Sequence, residues 1–272
     1  MTTPPTSPLA NPATWDMVST AYAAEVMPVF ESYARRALEL AAPPPDADLV
    51  DVACGPGTLA LMAALTANRV AAIDFSPEMI DRLRGHMGYG ALGNIDACVG
   101  DGQELPYGED EFDAGFSMFG LMFFPDRARG FRELRRVVKS GGKVVVSSWL
   151  PLDAAPMLFE MIAALEHAMP PQPKRQGAPA LSDDSVIRDE VLAAGFRAVD
   201  VHQVTFGVDY ASPAEMWASS ERTMAPLVLM RHRLGPAAWA PIAERVCTRL
   251  EAVVGSGPLT MQMPAWLTVA TV

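Results

Sequence analysis

The sequence predicts an α/β fold in which helices cover both faces of a mostly parallel sheet. Three observations lead to this prediction. Short apolar runs alternate with helical segments through the first half of the 272 residues. Half of the residues are hydrophobic and 19% are charged, which is enough apolar material for a large core. Glycines and acidic residues follow the apolar runs, where a parallel sheet forms its loops.

The first half contains five predicted strands separated by helical segments. One helix begins with Ser76 as its N-cap and Pro77 in its first turn, and Asp126 caps a later helix. Gly141 and Gly142 are expected to follow the end of that later helix. The predicted strands are short apolar runs at residues 48–54, 70–73, 95–99, 112–117 and 143–149.

The second half is predicted to complete a seven-stranded sheet. Two more strands are expected, at residues 199–204 and 266–272. Ser182 is expected to cap one of the helices that come before and between them. These helices are predicted at residues 155–169, 182–195, 213–234 and 237–254.

The domain organisation follows from these elements. Residues 1–14 are rich in proline and threonine and are expected to be a flexible tail. A helix is predicted over residues 15–40. We expect residues 15–272 to form a single domain, with a first half up to residue 149 and a second half from residue 150.

Composition and charge argue against several classes of function. The net charge of −11, from 32 acidic and 21 basic residues, disfavours binding to nucleic acid, which needs a basic surface. The three widely spaced cysteines predict free thiols, a reducing compartment and a cytoplasmic location. The sequence shows no metal-ligand spacing, no signal-peptide pattern and no apolar stretch long enough for a membrane span.

The residues that follow the first three strands predict a ligand site. The run Asp51-Val-Ala-Cys-Gly-Pro-Gly57 links the first strand to the next helix, and its glycines let the backbone turn tightly against a ligand. Asp74 ends the second strand, where a carboxylate can accept hydrogen bonds from ribose hydroxyls. Asp101 and Gly102 follow the third strand. The combination is more specific than a single glycine-rich turn.

These motifs resemble those of the class I S-adenosylmethionine-dependent methyltransferases. The segments at residues 49–57, 70–79, 100–106, 112–117 and 132–142 are similar to five family motifs, in the family's order. The resemblance covers residues 15–149 and is strongest to the small-molecule branch that includes ubiquinone- and menaquinone-type enzymes. It implies a Rossmann-like seven-stranded sheet, S-adenosylmethionine as cofactor and S-adenosylhomocysteine as product.

The resemblance also implies which residues bind the cofactor. The turn after the first strand would lie along the methionine portion, Asp74 would hold the ribose, and Phe75 and Met79 would pack on the adenine. Ala53 stands where the family usually has glycine, and we expect it to keep a negative φ. The implied set is Tyr22, Asp51, Ala53, Gly55, Gly57, Asp74, Phe75, Met79, Asp101, Gly102, Gln103, Ser117 and Met118.

Other functions on a similar scaffold stay open at this stage. An NAD-dependent oxidoreductase would share the glycine-rich turn and the acid, but the G-x-G-x-x-G spacing is absent here. A non-catalytic protein, or an enzyme that performs a non-methyl reaction on the same scaffold, would keep the same binding motifs.

For the acceptor, the sequence predicts a small and largely apolar organic molecule. Met118, Phe119, Met122 and Phe123 are expected to wall its pocket, and helices between residues 151 and 258 are expected to form a lid. The expected reaction is in-line displacement driven by proximity and desolvation, with O, N or C as the methylated atom. No general base is identified. Among the histidines His202 is the least excluded candidate for this role, and Asp153, Glu160 and Tyr210 are further candidates by their location. The oligomeric state is left open.

Overall fold

Seven strands form one sheet in the computed structural model, which describes residues 7–90, 92–170 and 181–272. The strand order is β3-β2-β1-β4-β5-β7-β6. The strands are β1 (Asp48–Val52), β2 (Arg69–Asp74), β3 (Ile95–Val99), β4 (Phe112–Ser117), β5 (Val138–Trp149), β6 (Ala198–Tyr210) and β7 (Leu259–Thr271). The predicted seven-stranded, mostly parallel α/β sheet is confirmed.

Strand β1 lies at the point where the strand order reverses. It pairs in parallel with β2 on one side and with β4 on the other. Strands β3 and β5 extend the parallel part, whereas β7 pairs antiparallel with both β5 and β6. The loops after β1 and β4 therefore diverge at one edge of the sheet and leave a crevice that suits a ligand.

Helices lie on both faces of the sheet, and none of the described ones is long and apolar enough to cross a membrane. Their bounds are α1 (Pro12–Asp16), α2 (Ser19–Ala21), α3 (Met27–Ala41), α4 (Thr58–Ala63), α5 (Pro77–Gly90), α6 (Arg127–Val137), α7 (Pro156–Ala168), α8 (Asp184–Ala193), α9 (Pro213–Thr223), α10 (Ala225–Leu234) and α11 (Pro236–Val254).

The alternation of side chains along the parallel strands builds a core on each face. In β1, Leu49 packs into the cluster that contains Leu59 and Phe116, and Val50 packs into the opposite cluster with Phe131. Strand β1 is buried on both faces because successive side chains point to opposite sides.

The N-terminal region differs from the predicted tail and single helix. Pro8–Ala10 forms a 3₁₀ helix and α1 follows at Pro12, capped by Ser7 and Asn11, which accept backbone N–H groups. The predicted helix over residues 15–40 is divided into α2, a π-helical turn at Tyr22–Val26, and α3. Pro28, in the first turn of α3, has no N–H to continue a regular helix.

The second half also departs from the predicted boundaries. The helix predicted over residues 213–234 is broken at Met224 into α9 and α10, because Pro226 lies in the first turn of α10. Asp183, not Ser182, caps α8 with its side chain. Strands β6 and β7 are each 13 residues long, far longer than predicted, since they pair with each other along their whole length.

Glycine is required at position 142, where β5 runs beside β4. A Cβ atom there would lie 2.7 Å from the carbonyl oxygen of Asp113 and 2.9 Å from that of Lys139. We expect Gly142→Ala to lower the free energy of unfolding by about 1–3 kcal/mol, because backbone must move to make room. Urea unfolding followed by circular dichroism measures the change.

Gly88 supplies the matched control. It lies in α5, and a Cβ atom would meet nothing within 4 Å. Gly88→Ala is expected to leave the stability unchanged or to raise it by up to about 1 kcal/mol. A Gly142→Ala protein as stable as the wild type would contradict the described packing.

Candidate functional site

A cavity of about 350 Å³ lies at the carboxyl ends of the parallel strands. We call it the large cavity. A second cavity of about 40 Å³, the small cavity, shares Tyr22, Ala53, Gly55, Met118 and Phe119 with it. The large cavity brings together ten of the predicted residues: Tyr22, Ala53, Gly55, Asp74, Phe75, Met79, Asp101, Gly102, Gln103 and Met118.

The turn after β1 is built from left-handed backbone. Gly55 has φ of +55° and Gly57 has φ of +95°. Ala53 has φ of +57°, so the expectation of a negative φ is wrong. An alanine in this region costs about 1–2 kcal/mol. The Ala53 side chain lies against Gly120, where an added Cβ atom would lie 2.3 Å from the Ala53 Cβ, so position 120 requires glycine.

Asp74 joins this turn to the start of α5. Its Oδ2 accepts the Gly55 backbone N–H at 2.8 Å, and its Oδ1 accepts the Ser76 N–H at 2.9 Å. Burial raises the pKa of Asp74 to about 6, although these hydrogen bonds act in the opposite direction. The carboxylate is thus fixed at the cavity wall, with lone pairs left for a hydroxyl-bearing ligand.

Asp51 lies at the end of β1 and lines the small cavity. It is 1% exposed, and neither carboxylate oxygen forms a regular hydrogen bond with a described residue, although the backbone N–H of Ala60 is near enough to act to lower its pKa. Burial, and then the nearby Asp74, raise the pKa of Asp51 to about 7. A buried carboxylate without a partner is costly, so the position favours a ligand that brings a cationic N–H donor.

The loop after β3 forms another wall of the large cavity. The Asp101 Oδ1 accepts the Gln103 backbone N–H at 2.8 Å, and the Gln103 Oε1 accepts the Asp126 N–H at 2.8 Å. A Cβ atom at Gly102 would lie 2.6 Å from Val52 and 2.5 Å from the Phe124 ring. Only glycine fits between these two side chains.

Two of the predicted binding residues lie outside both cavity walls. Gly57 shapes the turn, since a Cβ atom there would lie 2.3 Å from Leu83 Cδ1. Ser117 is fully buried at the end of β4, and its Oγ has no hydrogen-bond partner among the described residues. Asp51 contacts only the small cavity.

Residues of the N-terminal segment line the large cavity and were missed. Leu9, Ala10 and Trp15 all contribute to its wall. The Trp15 Nε1–H donates to the Leu9 carbonyl at 2.8 Å, and the Trp15 ring centre lies 5.3 Å from that of Phe123. The pair Asn11-Pro12, an N-cap followed by proline, is the sequence signal that predicts this helix.

The Asp16 carboxylate fastens the N-terminal segment to the rest of the site. Its Oδ1 accepts the Ser76 hydroxyl at 2.5 Å, and a weaker contact of 3.4 Å joins it to the Glu78 N–H. These groups lie in the first turn of α5, where a carboxylate also interacts favourably with the helix dipole. The N-terminal segment and Asp74 are therefore anchored at the same turn.

Tyr22 lies on the π-helical turn and contacts both cavities. Its ring meets Trp15 edge-on at 6.4 Å and Phe30 edge-on at 6.0 Å between ring centres. Burial, and then the charge of Asp74, raise the pKa of the Tyr22 hydroxyl well above its usual range. It is therefore a neutral hydrogen-bonding group at physiological pH.

No described residue of the second half lines either cavity, so the lid predicted there stays a prediction. All of the described residues that line them come before residue 126. Helices α7, α9 and α11 instead pack on one another around Trp217 and Trp239. Helix α10 packs behind the wall, where Ala225 and Val228 contact Met79 and Val18.

No general base emerges from the cavity walls. The walls formed by the described residues contain neither a histidine nor Asp153, Glu160 or Tyr210. Phe119 and Phe123 line the large cavity as predicted, whereas Met122 is buried in the core. Over the described part of the chain, no group of three or more His, Cys, Asp or Glu side chains is placed to hold a metal ion.

The first half of the chain matches a known family and curated relatives. Residues 50–146 match the profile of a methyltransferase domain. An uncharacterized protein from Mycobacterium bovis is 36% identical over 105 residues, 39% of this chain and 38% of the relative. A demethylmenaquinone methyltransferase from Corynebacterium kroppenstedtii is 32% identical over 132 residues, 48% of this chain and 53% of the relative. The chain thus spans about two fifths to one half of the length of these relatives.

Solved structures share the fold over most of the chain. The YcgJ protein from Bacillus subtilis aligns with a TM-score of 0.62 at 16% identity, covering 88% of this chain and 97% of that one. The cyclase SpnF aligns with a TM-score of 0.57 at 22% identity, covering 89% and 81%. The segment that matches the methyltransferase domain carries the glycine-rich turn, Asp74 and Asp101 of the large cavity, so the similarity to methyltransferases includes the part of the chain that forms this site.

Proposed function

We propose that this protein transfers the methyl group of S-adenosylmethionine to a small, largely apolar organic acceptor. The observation that carries the proposal is the pair of buried carboxylates at the switch point of the sheet. Asp74 is hydrogen-bonded to the glycine-rich turn, and Asp51 beside it has two unpartnered oxygens. Such a pair suits a ligand that combines ribose hydroxyls with an amino group.

The residues present fit S-adenosylmethionine. Asp74 would accept the ribose hydroxyls, and Phe75 and Met79 would pack on the adenine beside the loop at Asp101. The unpartnered Asp51 would accept the amino group of the methionine portion. Because the lining acids carry negative charge and S-adenosylmethionine carries a net positive charge, the electrostatics of the site favour it.

When bound, S-adenosylmethionine supplies an electrophilic methyl group: an acceptor lone pair bonds to the methyl carbon while the carbon–sulfur bond breaks, neutral S-adenosylhomocysteine forms, and the acceptor proton goes to water. The protein's own contribution is alignment and exclusion of water. Trp15 and Tyr22 cover the large cavity, and Met118 and Phe119 form its apolar side. Holding two reactants in line can lower a barrier by about 7–11 kcal/mol.

An apolar acceptor agrees with the composition of the walls. Phe119, Phe123 and Phe124 line the large cavity together with its acids. The relative named demethylmenaquinone methyltransferase supports a small-molecule acceptor over a macromolecule.

The free thiols of Cys54, Cys98 and Cys247 support a reducing, cytoplasmic location. The pairing of β7 with β5 supports one domain over residues 15–272.

Asp74→Ala is expected to weaken S-adenosylhomocysteine binding by about 10–100-fold, the value of one or two hydrogen bonds to a charged group. Isothermal titration calorimetry measures the dissociation constant, and circular dichroism checks that the variant is folded. Asp81→Ala is the matched control, since Asp81 lies on α5, the helix that follows Asp74, is exposed and pairs with Arg84. A folded Asp74→Ala protein that binds like the wild type would rule out this site.

Binding of S-adenosylhomocysteine is expected to tighten about tenfold between pH 6 and pH 8. The Asp51 carboxyl, with its pKa at about 7, must lose a proton before it can accept a cationic amino group, so binding releases a proton. Calorimetry at several pH values measures this slope. An affinity independent of pH across this window would contradict the role assigned to Asp51.

Asp51→Asn provides the control for this pH dependence. In the variant, binding is expected to be weaker, and the affinity is expected to change little between pH 6.5 and 8.

The raised pKa of Asp51 also affects the ligand-free protein. The stability that the neutral Asp51 contributes is present at acid pH and is lost as the pH rises through about 7. Ligand-free Asp51→Asn should therefore be at least as stable as the wild type at pH 8.

A further inference from the structure

The backbone around Tyr22 is held by polar contacts on both sides of that residue. Before it, Arg82 of α5 donates a hydrogen bond to the Thr20 Oγ1 at 2.7 Å. After it, the Glu25 side chain contacts helix α9, which belongs to the second half of the chain. The second half therefore reaches the site through Glu25, although none of its described residues lines either cavity.

The Glu25 carboxylate accepts three hydrogen bonds from α9. Arg222 donates to both of its oxygens, from Nε at 2.8 Å and from Nη2 at 3.1 Å, and the Ser219 hydroxyl donates to Oε2 at 2.7 Å. We call these three residues the Glu25 contact. The hydrogen bond from Arg222 is the main reason why the pKa of Glu25 lies below its usual range. A bidentate pair of this kind fixes orientation as well as distance.

Helix α9 gives the Glu25 contact a fixed support. Ser219 and Arg222 are three residues apart and therefore lie on one side of the helix. Met216 and Trp217 are buried on another side, and Trp217 stacks on Trp239 with ring centres 6.1 Å apart. Because α9 is packed in this way, we expect a break in the Glu25 contact to move the N-terminal segment and not α9.

The backbone on the other side of the contact is a single π-helical turn. Tyr22 and Glu25 both lie in this turn, which the Met27 N–H closes by donating to the Tyr22 carbonyl. Turns of this type are rare and are frequent at functional sites. A movement of the turn carries Tyr22 and Glu25 together, so a force on the Glu25 carboxylate is transmitted to the tyrosine that contacts both cavities.

The Glu25 contact is suited to a local role because it is partly exposed. The Arg222 side chain is 47% exposed and the Glu25 side chain 30%, and pairs with such exposure add little to the free energy of unfolding. The same small contribution is large for a local equilibrium between two positions of one turn, whose populations it changes several-fold. Loss of the contact should therefore leave the protein folded and alter the position of Tyr22.

We infer that Arg222 is a positioning residue for the cofactor site, which acts through Glu25 on Tyr22. This inference rests on the proposed function. With the Glu25 contact formed, Tyr22 is held against the two cavities and a bound ligand leaves slowly. With the contact broken, the π-helical turn moves away more often and the ligand leaves faster. A helix of the second half thus sets how long the cofactor stays bound.

The dissociation of S-adenosylhomocysteine from the full chain tests this inference. We expect Arg222→Ala to raise the dissociation rate constant about 3–10-fold, as the loss of a partly exposed bidentate pair predicts. Surface plasmon resonance measures the rate constant, and urea unfolding checks that the stability is nearly unchanged. Arg36→Ala is the matched control, since Arg36 and Glu39 form a pair on α3 with exposures of 43% and 54%. Its rate constant should equal that of the wild type.

Double variants separate positioning from a merely structural role. If Arg222 acts through Tyr22, Arg222→Ala should change the rate constant by less than about 2-fold in a Tyr22→Leu protein, because leucine has no ring or hydroxyl left to position. Glu25→Ala should raise the rate constant by as much as Arg222→Ala does. The two substitutions together should have no larger effect than either one alone, because both break the same contact.

The outcomes distinguish this inference from the function on which it rests. Equal rate constants for the wild type and for folded Arg222→Ala would overturn the inference alone, and so would an equal effect of Arg222→Ala with and without the Tyr22 ring. A wild type that does not bind S-adenosylhomocysteine would overturn the proposed function first and the inference with it.

A second measurement decides if the Tyr22→Leu protein does not fold or does not bind the ligand. Hydrogen–deuterium exchange of the ligand-bound chain over residues 22–26 is expected to be faster in Arg222→Ala than in the wild type. The exchange should be the same as in the wild type for Arg36→Ala. Equal exchange over this turn in Arg222→Ala and the wild type would overturn the inference.

Discussion

The two hydrogen bonds that Asp74 accepts from backbone amides organise this site. One comes from Gly55 in the turn after β1 and the other from Ser76 at the start of α5, so a single carboxylate joins the ends of two neighbouring strands. The turn can reach it because Ala53, Gly55 and Gly57 are all left-handed. Asp16 then fastens the N-terminal segment to the same start of α5 through Ser76. A displacement of Asp74 would therefore disturb the turn after β1, the start of α5 and the N-terminal segment together.

The burial of two neighbouring carboxyl groups favours a ligand that carries a positive charge. Burial, and then the charge of Asp74, raise the pKa of Asp51, whose carboxylate oxygens form no regular hydrogen bond with the described residues. Without a ligand this arrangement is destabilising at neutral pH, and a cationic group relieves it. Phe119 lines the same two cavities and adds apolar surface beside the acids.

The sequence predicts the parallel half of the fold well because the short apolar runs alternate with helical segments and the first three runs end in a glycine or an acid. Asp74 and Asp101 could be placed in the site for that reason, since parallel strands end at one edge of the sheet. The lengths of β6 and β7 could not be predicted, because pairing along 13 residues depends on the partner strand and on tolerance of Gly207 and Pro264. The φ of Ala53 was predicted wrongly, since the left-handed region is rare for alanine and its local preference gives no sign of it. The contact of Trp15 with the large cavity was not predicted because the composition of the residues before it resembles a flexible tail. Helices α7, α9 and α11 were expected to form a lid because the sequence shows their apolar faces but does not show that these faces pack on one another.

Hydrogen–deuterium exchange of the full chain, with and without S-adenosylhomocysteine, tests the central claim most directly. We predict slower exchange in the presence of the ligand over residues 8–22, 51–57, 74–79 and 100–103, which contain the turn, Asp74 and the N-terminal cover. Little change is expected in α11, which lines neither cavity. Unchanged exchange in these four segments at saturating ligand, or protection confined to α9, α10 and α11, would contradict the site described above.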